Sequence, residues 1–89
     1  MSVNNIRDIV AEHRAIKEKY PTAIVLLEFE SFYQAFDDDA RLLHKILDIS
    51  LRITDAKYDM PAQAGFPTAA LDRNLAKLLK AGCMVAICS

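Results

Sequence analysis

Five carboxylates crowd one short stretch of the chain: Glu28, Glu30, Asp37, Asp38 and Asp39. Clustered oxygens of this kind are what a magnesium-assisted phosphodiester cleavage would need. Three consecutive aspartates at a helix start, however, point in different directions, and the better reading is a solvated cap favoured by the helix dipole. His13 and His44 belong to no Cys and His pattern with zinc spacing. His13 falls on an apolar stripe, which predicts a hydrogen-bonded core histidine. Cys83 and Cys88, in a segment that reads as a strand, face opposite sides about 16 Å apart, too far to pair, and are expected as buried thiols. No Ser, Cys or Lys has an activating partner nearby, and two glycines cannot build a phosphate loop. The expectation is no catalytic site, no metal and no cofactor. The aromatic knot Phe32, Tyr33 and Phe36 is different. Neighbouring rings cannot both face the core of a helix, where successive residues lie about 100° apart, so one of them is expected to be partly exposed. An exposed phenyl ring at the end of a rigid strand can slide between base steps where a duplex is weakened, and the adjacent amide of Gln34 can hydrogen-bond a base edge. The competing reading makes Phe32 and Phe36, four apart, ordinary packing residues.

The elements that would position these groups follow from periodicity. Ile6, Ile9, Val10, His13, Ile16 and Tyr20 recur at helical steps, Asn4 or Asn5 can cap the start, and Pro21 stops the helix. Thr22 to Phe29 holds an unbroken apolar run, the mark of a strand covered on both faces. A second helix starts at the aspartate triplet, with Ala40, Leu43, Ile46 and Leu47 as its apolar face. Leu51 to Thr54 alternates as a half-buried strand, Asp55 to Phe66 reads as a loop or irregular hairpin, and Pro67 with Thr68 marks a helix entrance. Leu71, Leu75, Leu78 and Leu79 give the third helix its buried face, Gly82 its left-handed stop, and Cys83 to Cys88 a final strand. The prediction is an α/β (α+β) domain with a mixed sheet flanked by three helices, a single unit over residues 1–89.

Composition narrows the function classes. With 53% apolar and 26% charged residues among 89, the chain can fill one modest core and is not a disordered regulator. Eleven Lys and Arg against twelve Asp and Glu give a net charge of −1, without the basic excess that a protein drawn to phosphate or to an anionic membrane usually carries. The charged first twenty residues form neither a signal peptide nor a membrane span, so the expected compartment is the cytoplasm.

Several blocks resemble one family. Ser31-Phe32-Tyr33-Gln34-Ala35-Phe36-Asp37-Asp38-Asp39-Ala40 is similar to the pattern Asp-Phe-Tyr-Glu-Leu-Phe-x-Asp-Asp-Ala of the N-terminal mismatch-recognition domain of MutS-type DNA mismatch repair proteins. Leu47-Asp48-Ile49-Ser50-Leu51 matches the family's Leu-Asp-Ile-Ser-Leu, and Ala64-Gly65-Phe66-Pro67 its Ala-Gly-Ile-Pro. Leu75-Ala76-Lys77-Leu78, and Gly82 followed by Val85-Ala86-Ile87-Cys88, match the helix and strand that come next. The likeness runs from about residue 8 to residue 88. It implies a mixed α/β unit in which a Phe stacks on a mispaired base and a Glu two residues on hydrogen-bonds it. Phe32 takes the Phe position, and Gln34 stands where the family has Glu. An amide keeps an acceptor but adds a donor and loses the charge. The family's Gly-Asp before the Phe is Glu30-Ser31 here, so a positive φ at that Gly would place strain on Glu30. The Tyr-His after its Ile-Pro is replaced by Thr68-Ala69.

Two readings follow. In the first, the chain is a DNA-binding module for mismatched duplex, with Phe32 and Gln34 as its contacts, working beside other mismatch-repair domains or proteins. Full-length members of the family add connector, lever, clamp and ATPase domains, for which 89 residues leave no room, so the duplex affinity expected of this chain alone is weak. In the second, it is a free-standing derivative that serves as a protein-interaction module. Neither reading involves a membrane, an enzyme activity or a cofactor.

Overall fold

A computed structural model describes residues 6–53 and 62–89; Asn4, Asn5, Thr54 and the first part of the loop expected at Asp55 to Phe66 lie outside the described residues. The elements run α1 (Ile6–Lys19), β1 (Ala23–Phe29), β2 (Phe32–Phe36), α2 (Asp37–Leu47), β3 (Arg52–Ile53), β4 (Ala62–Pro67), α3 (Leu71–Lys80) and β5 (Met84–Cys88), with a 3-10 turn at Thr68–Ala70. The strands form one mixed sheet in the order β3-β4-β2-β1-β5. The β1–β2, β2–β4 and β3–β4 pairs are antiparallel, and β5 runs parallel to β1. No described helix is long and apolar enough to cross a membrane.

Alternation along β1 explains its unbroken apolar run. Ile24 and Leu26 enter one core with Tyr33, Ala35, Phe66 and the α2 and α3 residues Ala40, Leu43, Leu47 and Leu78. Leu27 points the other way, into a second core with Phe36 and with Ile9 and Val10 of α1. Successive side chains of a strand leave on opposite faces, so a strand between two helical layers has no polar side to show. The sheet therefore carries α2 and α3 on one face and α1 on the other.

Local chemistry sets the ends. Tyr20 donates its backbone N–H to Ile16 O at 3.1 Å, and Pro21 bars a further turn. Asp48 closes α2 in the left-handed region, φ 57° and ψ 38°, returning its N–H to His44 O. At the end of α3 the N–H of Gly82 bonds Leu79 O at 3.0 Å and that of Cys83 bonds Leu78 O at 3.1 Å. With Gly82 at φ 87°, this is the Schellman pattern expected of that glycine.

Several expectations need correction. The aromatic knot is not helical: Phe32–Phe36 is strand β2, hairpinned to β1. Residues 62–66 of the expected loop belong to β4, which is made of Ala, Gln, Gly, Phe and Pro and owes its extended form to pairing on both sides, not to intrinsic preference. The strand expected at Leu51 to Thr54 is only Arg52–Ile53 in the described residues, and both are exposed. Tyr20 and Leu79, assigned to buried stripes, are 54% and 55% exposed. Cys83 and Cys88 are free thiols and only partly buried, Cys83 lying just before β5. Asp39 is enclosed rather than solvated.

Candidate nucleic-acid interface

Cross-strand partners share a face, which assigns Phe29, Phe32, Gln34, Phe36, Gln63, Gly65, Pro67 and Arg52 to the α1 side of the sheet. The helix covers Phe36 and Leu27. Beyond them no described element covers the face, and a groove of about 310 Å³ opens there, lined among the described residues by Phe32, Gln34, Ser50, Arg52, Gln63, Ala64 and Gly65. The structure thus brings the two sequence-predicted residues, Phe32 and Gln34, together on one uncovered patch.

Phe32 is 44% exposed and Phe36 1%, the split expected for a protruding ring beside a packing one. The backbone beneath Phe32 is held from three sides. Phe29 and Phe32 are cross-strand partners, so Glu30 and Ser31 form the whole turn. Both take positive φ, 50° and 68°, the signature of a type I′ hairpin turn with neither Asn nor Gly in it. Glu30 is thus in the left-handed conformation. Thr68 donates its N–H to Ser31 O at 2.9 Å, tying the turn to the entrance of α3. On the reverse face Tyr33 is buried with its ring centroid 6.1 Å from that of Phe66.

Gln34 is half-buried beside the ring. Its cross-strand partner is Gly65, where a Cβ would fall 2.7 Å from Tyr33 O and 2.9 Å from Gln34 Oε1. Only glycine leaves room for the carboxamide to lie across β4. Gln63, two residues earlier on the same face, donates Nε2 to Gln34 Oε1 at 2.9 Å. Gln63, Gly65, Ser50 and Arg52 escaped sequence reasoning; the β2–β4 and β3–β4 registers that place Gln63, Gly65 and Arg52 leave no mark in local sequence, and Ser50 lies just before β3. Arg52 is the one cation lining this groove among the described residues, while exposed Glu28 and Glu30 flank the hairpin.

The aspartate triplet does something else. Asp37, at φ 57° where β2 turns into α2, accepts from exposed Arg14 at 3.2 and 3.4 Å. Asp39, 2% exposed, accepts the Val25 N–H at 3.0 Å and Lys17 Nζ at 2.7 Å. Lys17 also donates to Ala23 O, and His13 Nε2 donates to Val25 O at 2.9 Å. The β1–β2 register stops at Leu27 and Gln34, so these buried side chains serve the backbone of Val25 where β2 has turned away. His13 is the core histidine its position predicted, edge-on to Phe36 at 5.4 Å, and burial lowers its pKa from the ordinary value. Among the described residues no three His, Cys, Asp or Glu side chains gather as a metal site.

The profile of MutS domain I matches residues 9–89. The chain is 43% identical over 82 residues to the DNA mismatch repair protein MutS of Salinibacter ruber, covering 90% of this chain and 9% of that protein. It is 38% identical over 87 residues to the MutS of Thermosipho melanesiensis (98% and 10%) and 41% identical over 91 residues to that of Flavobacterium psychrophilum (99% and 10%). The chain therefore spans about a tenth of the length of these relatives.

Proposed function

The chain belongs to the MutS domain I family, and from that premise we propose that it is the mismatch-reading module of DNA mismatch repair, with Phe32 as the wedge and Gln34 as the hydrogen-bonding partner of the displaced base. The observation that carries this reading is the 44% exposure of Phe32 on a sheet face that no described helix covers, beside a polar groove. A ring left in water on a rigid hairpin can be buried between base steps, and the unstacking it requires, a few kcal/mol, is least where pairing is already lost. The module contributes recognition and no catalytic chemistry of its own.

Anchoring falls to other surfaces. A net charge of −1 releases few counterions, and Glu28 and Glu30 beside the hairpin repel phosphate, so affinity for duplex is weak and falls with salt. The partners in this reading are mismatched duplex and the other domains or proteins of the repair assembly. A titration of matched and mismatched duplexes across a salt series, with Phe32→Ala alongside, tests it. The expected result is weak binding at low salt with a small mismatch preference that Phe32→Ala removes. The same acidic flank favours a second reading, a protein-interaction module. Absence of duplex binding at low salt, unrescued by Gln34→Glu, would make that reading the leading one.

A further inference from the structure

The carboxamide of Gln34 is pinned. Its oxygen receives the Gln63 Nε2 hydrogen bond at 2.9 Å, and its body lies over Gly65, where a Cβ would come within 3.3 Å of Cδ. Gln63 is itself held in place on β4, with Phe36 as its cross-strand partner on one side and Arg52 on the other. With one lone pair of the oxygen engaged inside the sheet face, the amino group is the part of Gln34 that has no hydrogen-bond partner among the described residues. A carboxylate at this position would offer acceptors only.

Resting on the function proposed above, we infer that Gln63 is a positioning residue that makes Gln34 a hydrogen-bond donor, so that the site selects a mispaired base presenting an acceptor, a ring nitrogen or a carbonyl oxygen, over one that presents none. The ligand class follows from the geometry of the pair. An amide N–H aimed into the groove gains a bond from an acceptor edge and loses its solvation without return against an edge that lacks one.

The test uses two duplexes, each with one base facing an abasic site. In one that base is unsubstituted purine, which carries ring-nitrogen acceptors and no N–H on the base; in the other it is an indole isostere without acceptors. Both stack on a phenyl ring, so the ratio of their affinities isolates the hydrogen bond. The 89-residue chain should bind the purine duplex roughly two- to tenfold more tightly, the worth of one neutral hydrogen bond. In Gln63→Glu the new carboxylate can only accept; it receives a hydrogen bond from the Gln34 amide N–H, turns the Gln34 oxygen outward, and the ratio falls to about one whatever the added charge does to absolute affinity. Nuclear magnetic resonance on the unsubstituted protein gives a second readout: the Gln63 carboxamide protons should be protected from exchange in the free chain, and those of Gln34 only after the purine duplex is added. Phe32-dependent binding with equal affinity for both duplexes, or an undiminished ratio in Gln63→Glu, overturns the inference and leaves the proposed function standing. Failure to bind either duplex at low salt overturns both.

Discussion

Asp39 offers the sharpest perturbation of the frame behind the interface. Asp39→Ala removes a carboxylate that is 2% exposed and that accepts from the Val25 N–H at 3.0 Å and from Lys17 Nζ at 2.7 Å. The two losses are unequal. Lys17 is 32% exposed and can turn toward water, so its share is that of a largely surface pair, about 0.2–1 kcal/mol. Val25 is fully buried, and its N–H has no solvent to turn to; losing a charge-assisted acceptor there costs about 1.5–3 kcal/mol. The sum is about 2–4 kcal/mol. A chain of 89 residues has a stability of about 4–13 kcal/mol at 0.05–0.15 kcal/mol per residue, so the variant loses a large fraction of it. Asp39→Asn keeps one oxygen for Val25 and gives up mainly the charge facing Lys17, which predicts a loss of about 1 kcal/mol. Urea unfolding of the three proteins, with unchanged denaturant slopes, checks the ordering. Equal losses for Ala and Asn, or a loss below about 0.5 kcal/mol for Ala, would refute the claim that this carboxylate completes the end of the β1 ladder.

Phe32→Ala should cost about 1 kcal/mol or less in urea unfolding, because the ring is already 44% exposed, whereas Phe36→Ala, at 1% exposure, should cost about 3–5 kcal/mol. Gly65→Ala forces a Cβ to within 2.7 Å of Tyr33 O, a backbone atom that cannot swing aside, and should destabilise by about 1–3 kcal/mol while shifting the Gln34 carboxamide resonances in heteronuclear spectra. Replacing Glu30-Ser31 by Asn-Gly, the pair suited to two positive φ values, should stabilise the hairpin by about 1 kcal/mol in thermal unfolding. For His13 the sign follows from burial. The folded chain favours the neutral ring and the unfolded chain binds the proton more readily, so this contribution is complete above the unfolded pKa of about 6.5 and is lost as pH falls below it toward the folded value; a stability profile from pH 8 to 5 should show that slope in the parent and a flatter one in His13→Gln.

How far the sequence reveals this molecule depends on where the information lies. The helices announce themselves through apolar periodicity, and β1 and β5 through unbroken apolar runs, although β5 buries none of its residues fully. In β2 the signal is masked: Phe32 and Phe36 lie on one face and Tyr33 on the other, so aromatic residues occupy both sides and no alternation survives. In β4 the small residues Ala62, Ala64 and Gly65 carry no strand preference, and the two neighbouring strands impose the extended form. Asp37, Asp38 and Asp39 are identical in type and adjacent, yet only Asp39 is enclosed, its carboxylate turned to the Val25 N–H and to Lys17. Phe32 and Gln34 stand out through family resemblance and through the oddity of adjacent aromatics. Gln63 and Arg52 become visible only when the sheet is assembled in register.

The two halves of the α1 face work as one device. Near β1 the helix α1 is fastened by apolar contacts, by the His13 and Lys17 bonds to the strand backbone and by the pairing of Lys17 with Asp39, which makes that half a fixed base. Toward β4 and β3 the same face carries Gln34, Gln63 and Arg52 in place of apolar residues, and no described helix covers the groove there. Phe32 sits at the open end of that face, its backbone set by a two-residue turn, by the Thr68 bond to Ser31 and by Tyr33 buried behind it. A ring so placed keeps its direction before any ligand arrives, and the entropy of ordering a loop, which weakens many flexible binding sites, is already spent in folding. The strain of two left-handed residues in the turn is consistent with that role. Two residues at positive φ in a two-residue turn store backbone strain, which the pairing of β1 with β2 and the Thr68 bond to Ser31 must offset.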